Sequence, residues 1–107
     1  MTPDAYQQAP PLQEEHEDLV RTMSQLPIRE RLLRRAALAD RNSLAVSPAD
    51  GKAAQDLISA AWKLARHDHE HRSAAGPLIL ADVTVDSPAD DLRAYIRQEY
   101  AAWAATH

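Results

Sequence analysis

The run His67-Asp68-His69-Glu70-His71 places three imidazoles and two carboxylates in five consecutive positions. On a helix His67 and His71 stand one turn apart, and imidazoles at i and i+4 can converge on a divalent ion such as Zn²⁺. His69 points elsewhere, so a metal site needs ligands from other elements. The candidates are His16 and Glu99, which, like Asp68 and His69, sit among apolar residues of their own helical stripes. Polar groups on the inner faces of a bundle must be paired, so these four are expected to meet each other, Arg35 or Arg72, or a bound ion. A closed hydrogen-bonded network is the simpler expectation, because no spacing motif relates the ligands. The His67–His71 run can equally serve as a solvated cluster at the negative end of a helix dipole. No cofactor is expected.

A second cluster is cationic. Arg29, Arg31, Arg34, Arg35 and Arg41 make one segment basic in a chain whose net charge is -4. A DNA-reading helix carries such a face, but Glu30 and Asp40 dilute it and no Asn, Gln or Lys accompanies the arginines before Asn42. Pairing with the acids Glu14, Glu15, Glu17 and Asp18 of the preceding segment is the favoured reading, which suits antiparallel packing of the two helices.

The pair Glu15-His16 on a first helix and the pair His67/His71 on a later one are similar to ligand elements of hemerythrin-like bundles. The likeness ends at those four positions. That family's second-helix His-x-x-x-Glu element has no counterpart between Pro27 and Arg41, a segment without histidine, so a di-iron site is not expected.

The elements that must position these residues are helices. Leu12, His16, Leu19, Met23 and Leu26, with Val20 beside them, recur at helical spacing and predict a first helix from about Leu12 to Leu26. Pro27 ends it and opens a second helix to about Arg41, with Ile28, Leu32, Ala36 and Ala39 inward, Arg31, Arg34 and Arg41 outward, and Asn42-Ser43 as its break. Ser-Pro-Ala-Asp occurs twice, at residues 47–50 and 87–90. Ser at the N-cap and Pro at the first helical position predict a third helix from Pro48 to about Arg72 and a fourth from Pro88 to about Ala105. The third turns Ala54, Leu57, Ile58, Ala61, Ala65 and the Asp68/His69 pair inward, and Gly76-Pro77 is its stop signal. The fourth turns Leu92, Tyr95, Ile96, Glu99, Tyr100 and Trp103 inward. Residues 77–86 alternate like a strand, but a lone strand cannot satisfy its backbone, so they are expected to lie as an extended apolar loop on the bundle or to pair with a second subunit. Residues 1–11 are polar, proline-bearing and aperiodic, and read as a loose, dispensable tail before a single helical domain over residues 12–107.

Composition agrees with an all-α bundle of about four helices. With 107 residues, no Phe, two Gly and abundant Ala, the chain holds one modest core in which alanines permit close helix approach. No Cys excludes disulfides and thiolate metal sites. There is no basic-then-apolar leader and no long apolar run, so a soluble cytoplasmic protein is expected. The ten arginines against two lysines suggest a GC-rich bacterial coding sequence. No nucleophile elbow and no glycine-rich phosphate loop are present, so catalysis is not expected. The expected activity is binding of another protein or of a second copy as a homodimer, or service as an accessory or regulatory subunit. Trp62, Trp103, Leu80, Val83 and Val85 are the candidate contact residues. DNA regulation and metal binding are the alternatives, and no membrane partner is expected.

Overall fold

The computed structural model describes residues 3–46, 49–72, 74, 76, 80, 83 and 87–106. Among them the chain forms four helices, α1 (Leu12–Thr22), α2 (Ile28–Ala45), α3 (Gly51–His71) and α4 (Ala89–Ala104), with 3-10 turns at Asp4–Tyr6 and Met23–Gln25 and no strand. No helix is long and apolar enough to cross a membrane. Of the segment 77–86 only Leu80 and Val83 are described, and both are half-buried against the core. Val85 lies outside the described residues, as does the choice between strand and loop.

The helix boundaries follow local chemistry, with corrections. Pro27 separates the first two helices as expected, with Leu26 held extended (ψ 147°) and Pro27 at the N-cap of α2, but the α-helical part of the first ends at Thr22 and not at Leu26, and its last turn, Met23–Gln25, is 3-10. Asn42-Ser43 does not end α2, which runs on to Ala45, because Ser43 Oγ bonds back to the Asp40 carbonyl at 2.7 Å and stays inside the helical pattern. The cap of α3 is Asp50, whose carboxylate accepts from the backbone N–H groups of Lys52 and Ala53 at 3.0 and 3.1 Å. The helix therefore starts three residues after Pro48; Ser47 and Pro48 themselves lie outside the described residues. Pro88, not Ser87, holds the N-cap of α4. Finally, α3 ends at about Arg72, as expected, but the stop is made by Arg72 itself and not by Gly76-Pro77: Arg72 takes a left-handed conformation (φ 52°) and its N–H bonds to the Asp68 carbonyl.

α2 is the hub and packs on each of the other three helices. Ion pairs give the direction of packing: Glu15 of α1 meets Arg41 and Asp18 meets Arg34, so the two helices run antiparallel, as their opposite charges suggested. The core joins Leu33, Ala36 and Ala37 of α2, Leu57, Ala60, Ala61 and Leu64 of α3, and Leu92, Tyr95, Ile96 and Tyr100 of α4. Alanine thus fills the positions where large side chains are missing.

The tail is a correction. Tyr6 is only 2% exposed, its ring meets the Tyr100 ring edge-on at 5.1 Å, and Ala5 and Ala9 pack beside it. An aromatic side chain in an otherwise polar segment was the signal, and its apolar area outweighs the lack of periodicity.

The phase of α2 is the other correction. Of the inward stripe Ile28, Leu32, Ala36 and Ala39, Ala36 is fully buried and Leu32 and Ala39 are half-buried against the core, but the most buried positions centre on Leu33, Ala36, Ala37 and Asp40, with Arg34 at 9% exposure. Ile28 is 55% exposed. In α3, Ala53, Ala60 and Leu64 are buried while Ala54 and His69 face solvent.

Candidate functional site

Among the described residues four carboxylates are buried, Glu15, Asp40, Asp68 and Glu99, and each has an arginine. Asp40 of α2 accepts from Arg97 Nε (2.8 Å) and Nη2 (3.1 Å) of α4 and from Tyr6 Oη (2.6 Å). Asp68 of α3 accepts from Arg29 Nε (2.9 Å) and Nη2 (3.2 Å) of α2 and from Tyr95 Oη. Glu15 of α1 accepts from Arg41 of α2 and from Tyr100 Oη at 3.1 Å. Glu99 of α4 takes a second bond from Arg29 Nη2 at 2.6 Å, and its other oxygen accepts from the Gly76 N–H and from Gln98.

All three tyrosines of the chain therefore donate to a buried carboxylate that an arginine also neutralises. Burial, then the adjacent carboxylates, push the hydroxyls above their ordinary pKa, that of Tyr100 to about 12. Burial opposes the charge on Arg29, but its bonds to Asp68 and Glu99 raise its pKa on balance. Such groups hold their protons near neutral pH. The arrangement cross-links helices.

A different surface is open. α1 and α3 both lie against α2 and leave between them a groove of about 780 Å³. Its α1 wall is Leu12, His16, Leu19, Val20 and Met23, its floor is Ile28, Leu32, Leu38 and Ala39 of α2, and its α3 wall is Asp56, Ser59, Ala60 and Lys63. Arg31, Arg35 and Asn42 also line it. The apolar stripes read from α1 and α2 are thus real, but much of their length borders this groove. Val20 is 59% exposed.

The candidate metal ligands are not brought together. His16 lines the groove, His69 faces solvent, and Glu99 is enclosed with Arg29. His67 and His71 do stand one turn apart, but their rings stack at 4.2 Å, and His71 Nδ1 lies 2.9 Å from the His67 carbonyl, so they do not aim at a common point. Among the described residues no group of three His, Asp or Glu side chains can hold a metal ion. The expected network is present in part: Asp68 and Glu99 meet through Arg29, without His16, His69, Arg35 or Arg72.

Of the candidate DNA-contacting arginines, Arg29 and Arg41 are tied to buried carboxylates and Arg34 to Asp18 at 2.9 Å. Arg34 and Arg41 therefore do not project outward, because acids of α1 draw them in. Only Arg31 and Arg35 remain available on α2. Among the candidate partner contacts, Trp103 is packed on the core, with its indole N–H bonded to Glu30 at 2.8 Å, and Leu80 and Val83 cover the same core. Trp62 is 42% exposed, with the Arg66 guanidinium over its ring at 5.2 Å.

Sequence reasoning missed Glu15, Asp40, Arg97 and Tyr6 as network members. The signal for Glu15 was ambiguous in a definite way: Leu19 has Glu15 at i−4 and His16 at i−3, and both lie on its face of the helix. Leu33-Ala36-Ala37-Asp40 was likewise legible as an i, i+3, i+4, i+7 stripe. Set against protein-family models, curated proteins and solved structures, the chain matches none.

Proposed function

We propose that this chain is a small bacterial, cytoplasmic interaction module, a non-enzymatic accessory or regulatory protein that works by binding another protein in the groove between α1 and α3. One observation carries the reading: the groove floor on α2 is apolar, with Ile28 exposed and with Leu32 and Ala39, which also pack against the core, only half-buried beneath it. An apolar face left open beside exposed Val20 and Ile28 is the mark of a surface that another molecule covers. The buried charge network supports the same reading, since its carboxylates Glu15, Asp40, Asp68 and Glu99 are each held by an arginine inside the bundle, away from the groove.

Site-specific photocrosslinking in producing cells tests it. A photoreactive side chain at Val20 or Ile28 should give a discrete adduct, and one at Ala94, exposed on α4 away from the groove, should not. Equal adducts from all three positions, or none from any, would overturn the proposal.

A further inference from the structure

Resting on that reading, we infer that the partner segment is an acidic amphipathic helix of another protein, lying along α2 with its apolar side on the groove floor and carboxylates opposite Arg31 and Arg35. The first argument is charge. Arg31, Arg35 and Lys63 line the groove against one carboxylate, Asp56, in a protein of net charge -4. The other α2 arginines each have a carboxylate within the chain, Arg29 with Asp68 and Glu99, Arg34 with Asp18, and Arg41 with Glu15. Among the described residues, the unmatched cations of α2 are thus the two that border the groove.

The second argument is a missing acceptor. Arg31 Nε is buried and has no hydrogen-bond partner among the described residues, a condition it shares with Arg34 Nε, Arg93 Nε and His67 Nδ1, but of these four residues only Arg31 lines the groove. A buried donor without an acceptor is costly, and an incoming carboxylate would supply one.

The third is shape. All three sides of the groove are helices whose backbone bonds are satisfied internally, so an extended strand would find no edge to extend. A helix needs no backbone partner and presents apolar anchors at i, i+3, i+4 and i+7. From Ile28 to Asn42 the floor extends about 21 Å, the length of about four helical turns.

The test uses the full chain and two labelled peptides of about four turns. Both carry the same leucine stripe, flanked by Glu in one and by Lys in the other. Fluorescence anisotropy should show the Glu peptide binding at least about tenfold more tightly than the Lys peptide, with the difference shrinking in high salt. The double variant Arg31→Glu/Arg35→Glu should reverse the preference. Because neither arginine has a partner among the described residues, the double variant should keep the wild-type helical content and a cooperative thermal transition, which keeps binding separate from folding.

Equal binding of the two peptides, or a preference that the double variant leaves unchanged, would overturn the inference. If crosslinks form at Val20 while the peptides do not differ, only the acidic partner is wrong; if no crosslinks form and neither peptide binds, the groove reading itself fails. A dimer in sedimentation that the double variant dissociates would make the occupant a second copy and would also overturn the inference.

Discussion

Each buried carboxylate here joins elements that are far apart in the chain. Glu99 takes bonds from Arg29, Gly76 and Gln98, so its removal leaves buried donors without an acceptor. Glu99→Ala should destabilise by about 1–3 kcal/mol in urea denaturation, whereas a chelator should leave the wild-type midpoint unchanged. Gly76 contributes by having no side chain, since a Cβ there would lie 2.1 Å from Gln98 Cδ and displace the amide that holds Glu99. The tyrosines make stability depend on alkaline pH. Their folded pKa values lie above the unfolded value of about 10, so the folded state holds more protons above that pH. Their contribution is complete below about pH 10 and is lost as pH rises through the folded values. Thermal melts should therefore show a midpoint falling steeply between about pH 10 and pH 12, and Tyr100→Phe should shallow that fall by removing one of the three protons.

At the scale of elements, caps and prolines decide where helices begin, and tertiary contacts decide which way they face. Asp50 satisfies two orphan N–H groups at the start of α3. Asp50→Ala should lower stability by about 1 kcal/mol, read from circular-dichroism melts. An unchanged melt would place the start of α3 elsewhere. The phase of α2 was undetermined by periodicity because adjacent positions lie about 100° apart on a helix, and stripes one residue out of step can each be apolar. Ile28-Leu32-Ala36-Ala39 and Leu33-Ala36-Ala37 both satisfy the pattern, and Ala36 belongs to each. Asp68, Glu99 and Glu15 select the second by drawing Arg29 and Arg41 toward other helices.

For the whole molecule, the N-terminal segment is part of the bundle. Tyr6 joins Asp40 and Tyr100, and the Pro10 carbonyl accepts from Arg41 at 2.8 Å. Deleting residues 1–8 should destabilise by about 3–5 kcal/mol in urea, the loss that accompanies removal of a buried aromatic side chain. A truncated chain with the wild-type midpoint would show that Tyr6 does not dock in solution.

By itself the sequence determined the all-α class, the number of helices, the stop at Pro27, and the pairing of an acidic first helix with a basic second one. These follow from rules that act within a few residues, namely repeat period, backbone donors and local charge. Tertiary structure alone decided which arginines are enclosed, where Tyr6 goes, and that Ile28 of α2 stays exposed. Arg29 is 39 positions from Asp68 and 70 from Glu99, and Tyr100 is 85 from Glu15. A bond across that separation depends on the height and rotation of several helices at once, and helical periodicity carries neither.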